Sequence, residues 1–595
     1  MTASLSGEVP QTLDGLLRDA ARRHAAAPAV SCGSQALTYA ELLRRGLSLA
    51  ARLSADGPQR DRRIGIQMPR SSELIVAVMG VVLAGAAYVP VDDQYPAARR
   101  TQLLSDAELD LVITAPGWSR RLDGLGLPVL EWDSATGDDR PAVEPPAAEP
   151  ADAACLLFTS GSTGTPKGVV LEHRQMAAFA MDPAIPPLGP GDRVGQAASV
   201  SFDTFTFEVW RAVATGAEIV VIPAMAELIE RDMQRELRRR RITAMLAPAT
   251  VLNQVVLHDR EAFSSLRLLC SGGDVLLPAT TRELRAGGYT GALYNLYGPT
   301  ECAVACSGYP VGEHGHDADS VPIGFPLAGT RLHVLDDRLR PVPRDGTGQL
   351  YVAGAGVGRG YFRQPGLTAG AFVADPFAGD GSRMYATGDR VAYAEDGALR
   401  FLGRADGQVK VSGHRVEPAE IERLLCGLDG VRAAVVVATG PSAGRRLVAF
   451  VVAGESGLLL RELRATLAAR VPAYLVPSEF AVIEQIPVDA HGKRDGARLR
   501  EMLEERAAAR SDFRPPRTET EKWLVDAWED LLAREAIGAG DDFFALGGHS
   551  ILAVRLRMAI QRDFGVLVAP EALFENSVLT DQATMLDSCL EGAVR

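Results

Sequence analysis

Amphipathic helical segments alternate with short apolar segments through the first 400 residues of the chain. Apolar residues recur at helical spacing over 13–24 and 42–53, whereas strand-like apolar runs occupy 63–68, 109–114 and 217–222. Alternating strands and helices build layered α/β domains whose sheets are largely parallel. Because 595 residues exceed one domain of ordinary size, we expect further units behind this one.

The pattern changes twice after residue 400. A smaller segment, 403–510, begins with strand-like runs and mixes strands with helices, and a break at Pro515-Pro516 separates it from the rest. The last segment, 516–595, has helical periodicity and carries 7 basic against 14 acidic residues. We therefore predict a large multi-layer α/β domain (1–402), a small α+β domain (403–510) and an all-α four-helix bundle (516–595). Residues 134–153, rich in Pro, Ala and acid, predict an exposed connector.

Composition narrows the classes of partner. A net charge of −13 disfavours nucleic acid and anionic membranes, and seven scattered cysteines favour a reducing compartment over a disulfide framework. Residues 74–91 carry no charge and reach the length of a membrane span. Gly80, Gly85 and Pro90 interrupt them, which favours a buried helix that leads into a buried strand. No leader sequence is visible, so we expect a cytoplasmic protein without a membrane partner.

The sharpest local feature is the segment FTSGSTGTPKG, residues 158–168. Its glycines let backbone N–H groups curl around an anion, its hydroxyls add donors, and Lys167 supplies charge. It is not the P-loop of nucleotide triphosphatases, since Pro166 and Gly168 stand where that motif has Gly and Ser/Thr. A flexible linker is the alternative, but a linker has no use for Pro-Lys-Gly behind a buried strand. The segment therefore predicts a nucleotide-phosphate loop.

Lysine is rare in this chain. Only four of its 62 basic residues are lysine: Lys167, Lys410, Lys493 and Lys522. These four are candidates for positions where a compact ammonium, rather than a planar guanidinium, is required. Chance survival is the alternative for each of them.

The phosphate loop closely resembles the signature of the ANL adenylating enzymes, which include acyl-CoA synthetases, luciferases and the adenylation domains of nonribosomal peptide synthetases. The resemblance extends in order along almost the whole chain. The matching segments are LTYAEL (37–42), LAGAAYVPVD (83–92), FDTFTFEVW (202–210), NLYGPTE (295–301), the run 348–372, YATGD (385–389), GRADGQVKVSGHRVEPAEIE (403–422), VPAYLVP (471–477) and PVDAHGKRD (487–495). The second and seventh of these favour the nonribosomal peptide branch.

The resemblance implies two reactions in one site. A carboxylate attacks the α-phosphate of ATP, which gives an acyl-adenylate and pyrophosphate, and a thiol then attacks the adenylate. Glu301 would bind Mg²⁺, Thr300 would contact the α-phosphate, and Tyr297 would stack on adenine. The remaining ATP-binding residues implied are Thr159, Ser160, Gly161, Ser162, Thr163, Gly164, Lys167, Asn295, Asp389, Arg404 and Arg415, of which Asp389 would hold the ribose hydroxyls.

Two further residues match the mobile parts of the family. Asp406 corresponds to the hinge about which the small domain rotates between the two reactions. Lys493 would bridge the substrate carboxylate and the α-phosphate, then swing away. His491 and Gly496 depart from the usual sequence around that lysine without touching it. Lys410 would support the hinge strand, and Lys522 has no chemical role that we can assign.

Asp203 matches the position that pairs with the α-ammonium in the amino-acid-activating branch. A buried carboxylate needs a cationic partner, which favours an amino acid over a fatty or aryl acid. The other lining positions implied by the resemblance are Thr204, Phe207, Met245, Leu269, Ser271, Leu296, Val304 and Ala305. Because most of these are apolar, we expect a hydrophobic amino acid, aliphatic ahead of aromatic.

The segment DDFFALGGHSILAVRLRMAIQRDFG, residues 541–565, is the second strong signal. Ser550 follows a Gly-Gly turn and begins a helical pattern, where the helix N-terminus would stabilise a phosphodiester. A plain helix-capping serine is the alternative. The segment resembles peptidyl carrier domains, whose serine bears 4′-phosphopantetheine.

The sequence therefore predicts an amino-acid-adenylating ligase fused to its own carrier, in nonribosomal peptide or related natural-product biosynthesis. Implied cofactors are ATP, Mg²⁺ and phosphopantetheine on Ser550. Implied partners are the amino acid, a phosphopantetheinyl transferase, a downstream tailoring or condensation enzyme and an MbtH-like helper protein. The alternatives are an acyl- or aryl-CoA ligase and a non-catalytic scaffold with an adenylation fold.

Overall fold

The computed structural model describes residues 11–593 except 58, 135–145, 162–163, 231, 313–319, 406–407, 412, 441–444, 455–459, 488–493, 510–513, 533, 535, 545, 547, 549, 570–571 and 574–575. Four predicted site residues lie outside this part of the chain: Ser162, Thr163, Asp406 and Lys493. The side chain of Ser550 also lies outside it, although the backbone there is described.

Two sheets with a parallel centre form the layers of the N-terminal domain, as the alternating pattern predicts. In the nine-stranded sheet the order is β15-β14-β13-β12-β11-β9-β10-β1-β2, and in the seven-stranded sheet it is β18-β8-β7-β4-β3-β5-β6. The strands of the first are β1 (Pro28–Cys32), β2 (Gln35–Thr38), β9 (Arg193–Gln196), β10 (Glu218–Val221), β11 (Ala244–Pro248), β12 (Leu268–Gly272), β13 (Ala292–Tyr297), β14 (Ser307–Val311) and β15 (Phe325–Pro326). The strands of the second are β3 (Arg63–Gln67), β4 (Ala87–Pro90), β5 (Leu111–Thr114), β6 (Val129–Glu131), β7 (Ala153–Thr159), β8 (Lys167–Glu172) and β18 (Gly360–Tyr361).

Helices cover these sheets. They are α1 (Leu13–Arg23), α2 (Tyr39–Leu53), α3 (Ser72–Leu83), α4 (Ala97–Asp106), α5 (His173–Ala180), α6 (Thr204–Thr206), α7 (Ala212–Thr215), α8 (Met225–Glu230), α9 (Met233–Arg239), α10 (Ala249–His258), α11 (Pro278–Ala286) and α12 (Pro365–Ala371), with a π-helical turn, Phe207–Arg211, between α6 and α7. Local sequence sets the boundaries. Thr38 and Glu41 form a reciprocal capping box, so α2 begins directly behind β2.

The uncharged stretch 74–91 forms most of α3 and then β4, and every residue of it is buried. This confirms the buried helix and strand that its glycines and proline favour. Among the described residues, no helix combines the length and apolarity that a bilayer crossing needs.

A third sheet of the N-terminal domain is antiparallel throughout, which the alternating pattern does not predict. Its strands are β16 (Thr330–Leu335), β17 (Thr347–Gly354), β19 (Phe372–Ala374), β20 (Arg383–Tyr393) and β21 (Leu399–Arg404). A tight turn that Asp336 stabilises through the backbone of Arg338 and Arg340 leads out of β16. Most of these strands follow one another without an intervening helix and pair antiparallel, and α12 is the exception, directly before β19.

The small domain contains a two-stranded hairpin and a three-stranded sheet. The hairpin strands are β22 (Val409–Val411) and β23 (His414–Val416), and the sheet strands are β24 (Val431–Thr439), β25 (Arg446–Ala453) and β26 (Glu479–Ile483). Its helices are α13 (Pro418–Cys426), α14 (Leu460–Ala468) and α15 (Gly496–Ala509). An ion pair that is almost fully buried, Arg99 to Glu420 at 2.8 Å, joins α4 to α13 and so fixes the small domain against the large one.

The C-terminal domain is helical, as predicted. Its described helices are α16 (Glu519–Leu532), α17 (Ser550–Phe564) and α18 (Leu579–Ala593); a further helical turn at 572–573 borders residues outside the described part. Trp528, Phe543, Leu556 and Leu586 pack in its core. Helix α17 begins at Ser550, as the sequence predicts.

The helical domain contacts both other domains. Helix α17 lies against α8, and the Arg555 guanidinium donates to the Gln254 carbonyl at 3.1 Å. Arg446 of the small domain donates to the Phe544 carbonyl at 2.9 Å. Ser550 is therefore held on a helix that is docked against the large domain.

Candidate active site

A cavity of about 1020 Å³ opens where the parallel strands of both sheets end. Backbone and side chains at the carboxyl ends of β7, β9, β11, β12 and β13 line it, which is the usual place for ligands in open α/β sheets. The small domain contributes the β22–β23 hairpin and the 3₁₀ turn Ala473–Leu475. The sequence-predicted residues that line the cavity are Thr159, Ser160, Asp203, Thr204, Tyr297, Thr300, Asp389, Arg404 and Arg415.

The phosphate loop follows β7, as expected for an anion-binding turn. Gly161 makes a close approach that no other residue allows, because a Cβ there would lie 1.9 Å from the Thr165 carbonyl oxygen. The Thr159 hydroxyl is buried without a hydrogen-bond partner among the described residues, so a donor at the loop is available to a ligand.

The small domain holds this loop from the opposite side. The Ser160 hydroxyl donates to the Arg415 carbonyl at 2.7 Å, and Arg423 donates to the Gly164 carbonyl at 2.6 Å. Contacts of this kind to backbone carbonyls fix the loop without consuming its N–H groups.

Glu301 is the centre of a buried charge cluster beside the cavity. Its two carboxylate oxygens lie 3.2 Å from Lys167 Nζ and 2.8 Å from Arg415 Nη1, and the Tyr361 hydroxyl donates to it at 2.6 Å. Burial alone would raise the pKa of Glu301, but the Arg415 and Lys167 cations outweigh burial and hold that pKa well below its usual range. Glu301 is therefore ionised at neutral pH, the state that a metal ligand requires.

The charge of Glu301 suits Mg²⁺ binding, but the contacts of its two oxygens limit their availability to a metal ion. A single ionised carboxylate suffices for Mg²⁺, which takes its other ligands from water and phosphate. In the arrangement seen, however, Arg415 and Lys167 already engage both oxygens of Glu301. The resemblance directs Arg415 toward phosphate, whereas the structure pairs it with the metal-ligand candidate itself. Tyr361, which the sequence reasoning left without a role, completes the cluster, and the matched run 348–372 contains it.

The predicted nucleotide end is assembled around Asp389. The Tyr297 hydroxyl donates to Asp389, and Arg404 Nη1 lies 2.7 Å from its other oxygen. All three residues line the cavity. Asn295, in contrast, is buried behind the cavity wall, where its amide donates to the Pro322 carbonyl at 2.8 Å. The Asn295 amide therefore has a partner within the protein, and its place among the ATP-binding residues stays a prediction.

Asp203 faces the cavity beside Thr300, whose hydroxyl donates to its carboxylate at 2.5 Å. Asp203 forms no ion pair within 4.0 Å among the described residues, although it is largely desolvated; the more distant Lys410 ammonium favours its charged form. Desolvation raises the pKa of Asp203 above its usual range, and the Thr300 hydrogen bond opposes that rise. The carboxylate is thus positioned for a cationic group that a ligand supplies.

Replacing Asp203 by asparagine should raise the KM for the amino acid that the resemblance implies about 10- to 100-fold, because a charge-assisted hydrogen bond contributes about 1.5–3 kcal/mol. Protonation of Asp203 would remove the same charge. Since the pKa of Asp203 is raised, the KM of the unaltered protein should increase as the pH falls through that pKa, and D203N should lose this dependence. Steady-state exchange kinetics across pH measure both, with the KM for ATP as the control. An amino-acid KM unchanged in D203N would contradict this role.

The structure corrects part of the predicted amino-acid pocket. Met245 pairs in register with Leu269 on neighbouring parallel strands, and both belong to the hydrophobic cluster formed with α9, α10 and α11. Neither residue lines the cavity. Leu246, one residue further, lines it instead. Successive side chains of a strand point to opposite faces, so an offset of one residue exchanges a wall residue for a core residue.

The other predicted lining positions divide in the same way. Only Asp203 and Thr204 of the set line the cavity. Ser271 is fully buried, and its hydroxyl has no hydrogen-bond partner among the described residues. The remaining members lie in the main hydrophobic core of the large domain: Phe207, Leu296, Val304 and Ala305. Val251, on α10, is a lining residue that sequence reasoning missed.

The four lysines occupy different environments. Lys167 lies in the Glu301 cluster, and Lys410 lines the cavity with its ammonium 5.8 Å from the centre of the Tyr297 ring. Lys522 pairs with Glu519 on the surface of α16, at 2.7 Å, and has no part in the cavity. Lys493 lies outside the described residues; its neighbour Arg494 pairs with Glu422 on α13 at 2.8 Å.

Three protein-family models match the chain. Residues 17–362 match the AMP-binding enzyme, 420–493 match the AMP-binding enzyme C-terminal domain, and 522–586 match the phosphopantetheine attachment site. The first of these covers more than half of the chain.

Curated relatives are much longer proteins. The chain is 37% identical over 551 residues to malpibaldin synthetase of Mortierella alpina and 33% identical over 571 residues to gramicidin S synthase 2 of Brevibacillus brevis. These matches cover 92% and 96% of the chain but only 10% and 13% of the relatives. Bacitracin synthase 2 of Bacillus licheniformis is 33% identical over 98% of the chain, which spans 22% of that protein.

Solved structures match most or all of the chain. Holo-PA1221, an NRPS protein containing adenylation and PCP domains bound to a vinylsulfonamide inhibitor, superposes with a TM-score of 0.81 at 25% identity, over 99% of the chain and 100% of that protein. The artificially fused adenylation-PCP protein NpsA-ThdA from Klebsiella oxytoca gives a TM-score of 0.72 at 27% identity, over 79% and 93% of the two chains.

Proposed function

The chain belongs to the AMP-binding enzyme family and carries a phosphopantetheine attachment domain behind the enzyme, and from this premise we propose that it activates an α-amino acid with ATP and loads it onto its own carrier. The observation that carries the proposal is the Asp203 carboxylate, which faces the cavity 2.5 Å from Thr300 and forms no ion pair within 4.0 Å among the described residues, since the Lys410 ammonium acts on it only from further away.

In the first reaction a carboxylate oxygen of the amino acid bonds to the α-phosphorus of ATP, and pyrophosphate leaves with the electron pair of the broken P–O bond. Asp203 would hold the α-ammonium and the phosphate loop would hold the β- and γ-phosphates. Mg²⁺, held by Glu301, would neutralise phosphate charge. In the arrangement seen, Arg415 and Lys167 engage the oxygens of Glu301. We therefore propose that Glu301 binds the metal in another arrangement of the domains, in which the hairpin that carries Arg415 has moved away.

In the second reaction the thiol sulfur bonds to the acyl carbon of the adenylate, AMP leaves, and the thiol proton is lost to solvent. The thiol belongs to the phosphopantetheine arm on Ser550. The hairpin residues Lys410 and Arg415 inside the cavity, together with the docking of α17 on α8, support assignment of the arrangement seen to this second step.

We further propose a hydrophobic substrate. Leu246, Pro248 and Val251 add apolar surface to the cavity at the end of β11 and the start of α10. Discrimination between homologous aliphatic side chains is worth only about 1–3 kcal/mol, so related substrates should compete.

A phosphopantetheinyl transferase must act on the carrier first. A downstream tailoring or condensation enzyme would accept the product, and an MbtH-like helper is part of the same proposal.

A panel of ATP–pyrophosphate exchange reactions tests this proposal. The full-length protein is assayed with the twenty common amino acids and with fatty and aryl acids. We expect the unaltered protein to catalyse exchange with hydrophobic amino acids. The variant Asp389→Ala should lose this exchange, because the substitution removes the carboxylate that Tyr297 and Arg404 contact. Exchange with a fatty or aryl acid alone would establish the acyl- or aryl-CoA ligase instead. Absence of exchange with every acid would establish the scaffold.

A further inference from the structure

His414, at the tip of the β22–β23 hairpin, lies in the wall of the cavity. Its imidazole stacks on the Tyr474 ring, with centroids 4.0 Å apart and planes within 13°, and it tilts against the Phe202 ring at 4.9 Å. Both aromatic residues also line the cavity. The imidazole is therefore stacked flat on Tyr474 and met by a tilted Phe202 ring, and these two contacts fix its plane.

The Nδ1 atom of this imidazole is buried, and it has no hydrogen-bond partner among the described residues. A buried polar atom without a partner is costly, and it signals a group that a ligand completes. Burial lowers the pKa of His414 to about 4, so the ring is neutral at physiological pH. A neutral imidazole presents either a lone pair or an N–H at Nδ1.

The aromatic cluster around His414 is formed by residues of two domains. His414 and Tyr474 belong to the small domain, whereas Phe202 belongs to the large one. Tyr474 also lines the cavity together with Tyr95 of the large domain. Rotation of the small domain would dismantle the cluster, so its function belongs to the arrangement seen.

The position of Phe202 indicates which part of a ligand would lie near His414. Phe202 directly precedes Asp203, the proposed partner of the α-ammonium, so His414 lies beside the amino-acid end of the cavity. A thiol that attacks the acyl carbon must come to this end. In phosphopantetheine an amide nitrogen lies two carbons from the sulfur, and an amide offers both a donor and an acceptor.

We propose that His414 binds the phosphopantetheine arm during thioester formation, through a hydrogen bond between Nδ1 and the amide of the arm nearest the thiol. This inference rests on the proposed function. The imidazole would hold the last segment of the arm in line with the acyl carbon, and a neutral ring suits an uncharged amide.

The test uses thiol acceptors that differ in this amide. The full-length protein, unmodified at Ser550, forms its aminoacyl-adenylate and transfers the acyl group to free pantetheine, N-acetylcysteamine or cysteamine, the last of which lacks an amide. We expect His414→Phe, which keeps a stacked ring without Nδ1, to lower kcat/KM about 10-fold with pantetheine and with N-acetylcysteamine. The defect should vanish with cysteamine.

Tyr474→Phe is the matched control, because it alters the neighbouring ring but leaves the imidazole in place. Any defect it causes should be equal for the three acceptors. An equal defect for all acceptors in His414→Phe, or no defect with N-acetylcysteamine, would overturn the inference. ATP–pyrophosphate exchange of the unaltered protein is measured in parallel; its absence would count against the proposed function itself, whatever the acceptors show.

Discussion

Replacing Ser550 by alanine should abolish acylation of the carrier while ATP–pyrophosphate exchange continues at the level of the unaltered protein. The hydroxyl is the proposed attachment atom, and no other group can replace it in a phosphodiester. Helix α17 begins at Ser550, so the partial positive charge of the helix N-terminus would stabilise that phosphodiester. Intact mass after treatment with a phosphopantetheinyl transferase, followed by ATP and amino acid, measures the loss.

Ser588→Ala provides the matched control within the same domain. Its hydroxyl is exposed on α18 and donates only to the Thr584 carbonyl, at 2.9 Å. This variant should accept both phosphopantetheine and the aminoacyl group. Retention of an ATP-dependent aminoacyl adduct in Ser550→Ala would place the attachment elsewhere.

Replacing Lys493 by alanine should lower ATP–pyrophosphate exchange about 100- to 1000-fold, the usual cost of losing one group that stabilises transition-state charge. By its resemblance to the family, this ammonium bridges the carboxylate and the α-phosphate. Lys493→Arg should recover only part of the rate, since a planar guanidinium does not place one point charge between two oxyanions. Exchange kinetics at saturating ATP measure both variants.

The second reaction should respond differently to the same substitution. The hairpin, with Lys410 and Arg415, occupies the cavity in the arrangement seen, while Arg494 next to Lys493 pairs with Glu422 on α13. Transfer from a supplied aminoacyl-adenylate to the carrier should therefore be retained in Lys493→Ala. Lys522→Ala, whose lysine pairs with Glu519 at the surface, is the matched control for both reactions. Full exchange by Lys493→Ala would contradict the bridging role.

Features of the protein that depend on local backbone can be predicted from its sequence. The phosphate loop is specified by its own residues, because Gly161 approaches the Thr165 carbonyl more closely than a Cβ allows. Helix α13 begins at Pro418, where a proline suits the first helical turn, and ends at Cys426. These features need no knowledge of distant parts of the chain.

Contacts between segments that are distant in the chain cannot be predicted from local sequence patterns. Arg415 pairs with Glu301 across 114 residues, and this pairing depends on how the small domain is docked. The stack of His414 on Tyr474 and Phe202 likewise needs both domains in place. Neither periodicity nor a local motif predicts how the small domain docks on the large one. The phosphate contact expected for Arg415 stays a prediction, and it requires a different arrangement of the two domains.

One position of the predicted amino-acid pocket differs from the structure for a geometric reason. A strand reverses the direction of its side chains at every residue, so the family pattern placed Met245 on the wall although Leu246 occupies it. The alternation of helices and strands does not predict the antiparallel sheet of β16, β17, β19, β20 and β21, because most of these strands follow one another without an intervening helix.

Intact mass spectrometry of the phosphopantetheinylated full-length protein, incubated with ATP, Mg²⁺ and single amino acids, tests the central proposal most directly. We predict an ATP-dependent mass increase equal to one hydrophobic amino acid less one water, located on the peptide that contains Ser550. A carrier whose mass stays unchanged with every amino acid, or increases only with a fatty or aryl acid, would contradict the proposal.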